Sequence, residues 1–306
     1  MGRKVIVLSD PGIDGAFAIA LALHDRKLDC VGLAATAGNV SADQANRNMQ
    51  ILVDVFDPPR RPRFGAALPV EYDVDGLMLH GPGGLGGTNF PCAELHHTHA
   101  ADKLIVDLVR QHPKELTILV LGPLTVLARA LDRDPEMVAL VDRVVCVGGA
   151  WHEAGNISAV AEFHFYCDPA SARQVVNSGM ALTLIPLDVT RKLVLAPTEL
   201  SDLSESQTCS FLRQIVPYGI QATASLYGIE GFHLKDVLGV AAVAVPQAFT
   251  IKSVALDVET QGELTRGMTI VDTRWNTTAK ANVDLALSVD VNAVRRYMTD
   301  TLAQST

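Results

Sequence analysis

The chain has 306 residues, of which 48% are hydrophobic and 19% are charged, and its formal net charge is -9. This much apolar material excludes general disorder and indicates a globular protein with a large core. The negative charge argues against nucleic-acid binding, which needs clustered Lys and Arg, and the basic stretch PRRPR at 59–63 is interrupted by a proline. We therefore expect no nucleic-acid partner.

The cysteines and the start of the chain bear on the compartment. Five cysteines are widely spaced without a CxxC pair, which indicates neither a disulfide framework nor a zinc site. No apolar signal region follows MGRK, and no apolar run reaches the roughly 18 residues that a membrane span needs. The sequence predicts a reduced, cytoplasmic protein with no membrane partner.

Short apolar runs rich in Val and Ile predict β-strands buried on both faces of a parallel sheet. They lie at 5–8, 30–36, 116–121, 143–148 and 181–188. Helical patterns alternate with them, at 14–24, 42–56, 98–112, 124–132 and 169–178. This alternation predicts an α/β fold with a doubly wound, mostly parallel sheet flanked by helices.

The pattern changes after residue 200. Helical stretches lie at 204–226, 236–245 and 290–303, with the strand-like runs SVALDVET and GMTIVD between them. Because no Gly/Ser-rich or charged linker intervenes, we expect a single domain over 1–306 with a helical C-terminal addition. The segment 66–99, which includes HHTH, is long and irregular, and we expect it to be a mobile active-site loop.

Polar groups follow several of the predicted strands. In an open α/β sheet, ligands bind at the carboxyl ends of the strands. The groups at that edge are Asp10, Asp14, Asn39, the carbonyl of Leu121, the stretch GGAWHEAGN at 148–156 and Asp188. Three of these residues also have a purely structural interpretation. Asp14 could be a helix N-cap, Asp10 an Asx-turn residue and Asn39 a turn residue. Convergence on one edge favours a ligand site.

Specific motifs run from one end of the chain to the other. They are LSDPGIDGA at 8–16, HGPGGLG at 80–86, VGGAWHEAGNISAVAEFHFYCDPASA at 147–172 and PLDVT at 186–190. Together they resemble the inosine-uridine preferring nucleoside hydrolase family, whose opening pattern is D-x-D-P-G-x-D-D-A. The resemblance implies an enzyme that cleaves the N-glycosidic bond of ribonucleosides, giving ribose and free base. It also implies a homodimer or homotetramer.

The resemblance further implies a calcium ion as cofactor. Its ligands would be Asp10, the backbone carbonyl of Leu121 and Asp236, with Asp10 also the base that deprotonates the attacking water. Calcium lowers the pKa of bound water and coordinates hydroxyl oxygens. The implied substrate-binding residues are Asp14, Asn39, His80, Asn156, Glu162, His164 and Lys235, where His80 lies near the base.

Four positions depart from the family pattern. Leu8 and Gly15 stand where the family has acids, His164 replaces an Asn that contacts ribose, and Lys235 replaces a His close to the leaving base. Since Gly15 removes a metal-binding carboxylate, we expect weaker calcium binding. We hypothesise that the Lys235 ammonium lies at or beside the metal position and pairs with Asp10 and Asp236. The alternative is that Lys235 points to solvent.

Three functional hypotheses follow. The first is an active hydrolase of N-glycosidic bonds with altered substrate or metal use. The second is a family member that has lost catalysis and binds a nucleoside or ribose-like ligand, and position 15 is the feature that separates the two. The third, an unrelated α/β enzyme such as a phosphatase, is disfavoured because no P-loop, GxSxG or GxGxxG motif accompanies the acids.

Overall fold

The computed structural model describes residues 2–92 and 99–305. Its strands are β1 Arg3–Ser9, β2 Leu28–Ala35, β3 Arg63–Ala66, β4 His99–Ala100, β5 Leu116–Leu121, β6 Arg143–Val147, β7 Leu182–Ile185, β8 Val194–Leu195, β9 Phe232–His233, β10 Phe249–Val254, β11 Leu256–Val258, β12 Thr269–Val271 and β13 Val283–Val289. The α-helices are α1 Ile13–His24, α2 Ala42–Phe56, α3 Leu77–His80, α4 Ala101–Gln111, α5 Thr125–Arg133, α6 Met137–Leu140, α7 Phe163–Cys167, α8 Pro169–Val176, α9 Leu187–Thr190, α10 Gln207–Tyr227, α11 Lys235–Ala244 and α12 Val291–Leu302. Short 3-10 helices lie at Pro197–Leu200 and Pro246–Ala248.

One large sheet organises the fold. Within the described residues it has nine strands in the order β10-β13-β7-β6-β5-β1-β2-β3-β4, and β10 alone runs antiparallel to its neighbour. In the centre, Ser9 pairs with Ala35 of β2 on one side and with Leu121 of β5 on the other. The carboxyl ends of these three strands therefore lie level with one another.

Helices cover both faces of the sheet. Val5 and Val7 of β1 face a core formed with α1, α2, α10, α11 and α12, whereas Ile6 and Leu8 face a second core formed with α4, α5 and α8. Because both faces are buried, the strands read as continuous apolar runs. Leu8 is fully buried in the second core, so this departure from the family pattern serves packing.

The structure confirms the predicted doubly wound, mostly parallel α/β fold, and each predicted strand and helix before residue 200 is present. Ser41 caps α2, accepting a hydrogen bond from the Gln44 amide (3.4 Å), and Pro169 is the first residue of α8. The C-terminal part contains the predicted helices and strand-like runs and one further strand of the main sheet. Its strand β13, which the sequence patterns did not predict, pairs with β7 and carries β10 on the sheet edge.

The irregular segment 66–99 is described up to residue 92, and most of HHTH lies outside the described residues. Its described part contains α3 and a glycine-rich turn in which Gly81, Gly83 and Gly84 have positive φ angles. Asn48 fixes this turn, because its Nδ2 donates to the carbonyls of Gly83 (2.8 Å) and Pro11 (2.9 Å). That the segment moves stays a prediction.

Candidate active site

Asp10 lies directly after β1 and is fully buried. Its Oδ2 accepts a hydrogen bond from the Asn39 amide (2.7 Å), and Asn39 Nδ2 donates to the Asp10 carbonyl (3.1 Å). Because Asn39 follows β2, these bonds join two neighbouring strand ends, and the local Asx-turn reading of Asp10 is wrong. Among the described residues, nothing hydrogen-bonds to Asp10 Oδ1.

Asp14 lies in the first turn of α1, where a negative charge interacts favourably with the helix dipole. The N-cap reading is wrong, since Gly12 occupies that position. The carboxylate is buried, and its Oδ1 has no hydrogen-bond partner in the described part of the chain. This oxygen is 3.9 Å from Nδ1 of His80.

His80 ends α3 and is buried. The Ile13 amide donates to its Nδ1 (3.1 Å), so a neutral His80 carries its proton on Nε2. Burial lowers the pKa of His80, and the nearby Lys235 cation acts in the same direction against the opposing effect of Asp14. The geometry and the charges therefore both favour the neutral ring.

Glu162 caps α7 and organises the loop before it. Its Oε2 accepts hydrogen bonds from the backbone amides of His164 (2.9 Å), Gly149 (3.2 Å) and Phe165 (3.2 Å). Gly149 has a φ of +73°, a conformation that favours glycine. The Gly-Gly-Ala stretch thus brings a backbone amide to a buried acid.

His164 lies against Asp10, although the two residues are far apart in the sequence. Its Nε2 is 3.5 Å from Asp10 Oδ2, and its Nδ1 is 3.4 Å from the Val147 carbonyl and 3.7 Å from Glu162 Oε1. Burial disfavours the charged ring, but the carboxylates of Glu162 and Asp10 outweigh it and raise the pKa of His164 to about 10. The imidazole is thus surrounded by oxygen atoms.

Lys235 and Asp236 begin α11. Asp236 is buried, and burial together with the Asp14 carboxylate raises its pKa well above the usual range. Lys235 forms no salt bridge with Asp10 or Asp236 within the described residues, so the hypothesis of that pairing is wrong. Lys235 is half-buried and lines the cavities described next, and the alternative that its ammonium points to solvent stays a prediction.

Two adjoining cavities open above these residues, with volumes of about 180 and 660 Å³. Both are lined by Leu79, His80, Asn156, Ile157, Tyr227 and Lys235. Asp14, Asn39, His164 and Asp236 add polar side chains to the smaller cavity. Asp10 lies behind Asn39 and His164, and Glu162 behind the amides that it holds, so these two acids form the floor.

The larger cavity has polar residues that sequence reasoning missed. Arg191, Thr223 and His233 line it, and Arg191 Nη1 forms a salt bridge with Glu153 Oε2 (2.9 Å). The only signal was proximity, because Arg191 directly follows the PLDVT motif and His233 lies two residues before Lys235. Neither residue lies in a sequence motif that by itself indicates a chemical function.

The residues present do not fit a calcium ion, which takes six to eight oxygen ligands. Position 15 offers no carboxylate, so the ligand set that the resemblance implies is reduced to the side chains of Asp10 and Asp236 and the Leu121 carbonyl. A Cβ at Gly15 would lie 3.2 Å from Ser9 Oγ and 3.3 Å from Asp236 Oδ2, so a side chain there requires both groups to shift by a few tenths of an ångström. Across residues 2–92 and 99–305, no group of three or more His, Cys, Asp or Glu is arranged to hold a metal.

A doubly wound sheet with buried acids beneath a polar cavity at its carboxyl edge defines an α/β enzyme that acts on a small polar ligand. Residues 5–296 match the family described as inosine-uridine preferring nucleoside hydrolase. The chain belongs to this family and is a nucleoside hydrolase.

Individual relatives agree with this assignment over nearly their whole length. The chain is 32% identical to uridine nucleosidase 1 of Arabidopsis thaliana, covering 97% of this chain and 92% of the relative. It is 33% identical to the non-specific ribonucleoside hydrolase RihC of Escherichia coli, covering 99% of each chain. A solved purine-preferring ribonucleoside hydrolase from Gardnerella vaginalis, 28% identical, superposes with a TM-score of 0.91 over 98% of each chain.

A plant nucleoside hydrolase structure, 26% identical, has a TM-score of 0.93 over 99% of each chain. Separately, no helix in the described ranges is long and apolar enough to cross a membrane. The cytoplasmic location stays a prediction.

Proposed function

We propose that the chain hydrolyses the N-glycosidic bond of ribonucleosides, with ribose in the smaller cavity and the base in the larger one. The observation that carries this proposal is the pair of buried carboxylate oxygens, Asp10 Oδ1 and Asp14 Oδ1, that have no partner among the described residues. Buried acceptors without partners are costly unless a ligand or water satisfies them. The similarity to a uridine nucleosidase and to a non-specific ribonucleoside hydrolase supports the substrate class.

The acids suit the charge that develops in this reaction. Cleavage of the glycosidic bond places positive charge on the ribosyl ring, and fixed negative groups in a buried site stabilise that transition state. We assign Asp10 Oδ1 to accept the proton of the attacking water, whose oxygen bonds to the anomeric carbon. The electron pair of the broken C–N bond leaves with the base, which takes up a proton from solvent, and Asp10 returns its proton to solvent at the end of the cycle.

Ribose recognition rests on the side chains of the smaller cavity. Asp14 Oδ1 accepts a bond from a ribose hydroxyl, and Asn156, whose Oδ1 is already bound to the Phe163 amide (2.8 Å), offers its Nδ2 as a donor. Glu162 Oε2 is engaged by three backbone amides, which supports a positioning role for this acid. Asn39 orients Asp10 from the cavity wall.

Base recognition falls to His80 and Lys235 at the junction of the two cavities. The neutral His80 ring has Nε2–H as its donor, and Lys235 provides a cation without a salt-bridge partner in the described part of the chain. Both groups can hydrogen-bond to a base that gains electron density as it leaves.

Two broader expectations depend on family membership. We propose that residues 1–306 act as one nucleoside hydrolase domain, and the main sheet supports this because it draws strands from β1 to β13. We also propose a homodimer or homotetramer, which light scattering after size-exclusion chromatography measures directly.

Purified protein incubated with a panel of ribonucleosides should release ribose and free base. Asp10→Asn should slow release by about 100-fold or more, because it removes the base that activates water. The matched control is Asp43→Asn on the exposed start of α2, which should keep the wild-type rate. Wild-type release no faster than that of Asp10→Asn would reject hydrolysis, and nucleoside binding without release would favour the ligand-binding alternative.

A further inference from the structure

Two departures from the family pattern lie together in the floor of the site. Gly15 lacks the family's carboxylate, and His164 provides an imidazole in place of an Asn. Gly15 is buried in α1, and its side of the floor is closed by Ser9 Oγ and Asp236 Oδ2. A Cβ there would press on both oxygens, so those neighbours would have to move by a few tenths of an ångström. A side chain at position 15 therefore fits only when Ser9 and Asp236 shift slightly, and the natural chain leaves the position without a carboxylate.

His164 approaches the same floor from α7. Its backbone amide is bonded to Glu162 Oε2 (2.9 Å), and its ring has an oxygen near each nitrogen, with Asp10 Oδ2 at 3.5 Å from Nε2. Contacts thus hold both the backbone and the ring of His164 in place. The ring interacts with the carboxylate that the family uses to hold the metal.

Charge neutralisation gives the physical reason for this arrangement. Asp10, Asp14, Glu162 and Asp236 are all buried at one strand edge, and buried carboxylates need a compensating partner. In the described part of the chain, the contacts at Asp10 come from Asn39 and His164, and Lys235 forms no salt bridge there. Among the described side chains, His164 is thus the one whose ring nitrogen faces the Asp10 carboxylate, at 3.5 Å.

We propose that this site works without a resident calcium ion, and that the His164 imidazole holds Asp10 in the metal's place. One of the two measurements that test this proposal is hydrolytic activity, and that measurement rests on the proposed function. The calcium-binding readout does not, and it decides the proposal even if no substrate is found.

The test compares wild type, the double variant Gly15→Asp/His164→Asn and the surface control Asp43→Asn. Each protein is dialysed against chelator, titrated with calcium by calorimetry and assayed with and without EGTA. We expect wild type and control to bind no calcium more tightly than about 1 mM and to hydrolyse equally with or without chelator. The double variant, which regains the carboxylate and loses the ring, should bind calcium at least about tenfold more tightly than wild type.

Wild-type binding tighter than about 1 mM, or hydrolysis lost in EGTA and restored by calcium, would overturn the proposal. A double variant that melts cooperatively yet binds calcium no better than wild type would overturn the assignment to positions 15 and 164. Should the double variant not fold, the wild-type titration still decides the matter. Absence of hydrolysis in all samples would count against the proposed function alone.

Discussion

At the scale of single residues, the site depends on buried acids and on the side chains that contact them, above all Asp10 with Asn39 and His164. Asp10 and Asp14 follow a buried strand, and the rule that ligands bind at strand ends selects them directly. The contact between Asp10 and His164 depends on how the loop after β6 folds back over β1, which no local pattern encodes. For the same reason, the predicted pairing of Lys235 with Asp10 is wrong. Lys235 lines the cavity walls instead.

His233 provides a pH-dependent test of the same region. Burial lowers the pKa of His233 to about 4, and the cations of Lys235 and Arg191 contribute to this shift. Between pH 6.5 and 4 the unfolded chain binds a proton that the folded chain does not. Unfolding is therefore favoured as the pH falls through this window, and the stability is fully present above it.

Urea unfolding of wild type and His233→Gln at several pH values measures this effect. Because the side chain is only partly buried, we expect the stability of wild type to fall by about 1 kcal/mol more than that of His233→Gln between pH 7 and 4. Parallel stability curves for the two proteins would contradict the burial of a neutral ring.

At the scale of elements, the central strands and their helices followed from apolar runs and helix signals. The outer strands did not. β3 and β4 are short, and β13 carries polar residues at Asp284 and Ser288, so it lacks the continuous apolar run by which buried strands are recognised. These strands form because they pair with strands that are distant in the sequence. A short stretch of sequence does not show such pairing.

The loop after β6 depends on Asp188 in α9. Its carboxylate accepts hydrogen bonds from three successive amides, those of Trp151 (2.9 Å), His152 (2.8 Å) and Glu153 (3.3 Å). The sequence placed Asp188 at a strand end as a ligand candidate, and the structure places it beneath the loop that carries Asn156. Asp188 is thus a positioning residue.

Asp188→Asn should lower kcat/KM by about tenfold or more, mostly through a higher KM, because charge-assisted hydrogen bonds that hold the loop are lost. Steady-state kinetics measures this split, and Asp142→Asn on the surface is the matched control. A folded Asp188→Asn protein with wild-type KM would show that the loop does not need this carboxylate.

At the scale of the whole molecule, one parallel sheet gathers residues from distant parts of the chain. Asn39 follows β2, His164 follows β6 and Asp236 lies in the first turn of α11, yet all three line one small cavity. Asp10, which follows β1, lies behind Asn39 and His164. The resemblance to a family identified most of these positions. The sequence could not tell how the site compensates its charge, because that depends on contacts between side chains from different elements.

The most direct test measures ribose and free base released from uridine and inosine by wild-type protein in chelator-treated, metal-free buffer. We expect equal amounts of both products, formed about 100-fold or more faster than with Asp10→Asn. Release that is no faster than that of Asp10→Asn, or that begins only when calcium is added, would contradict it.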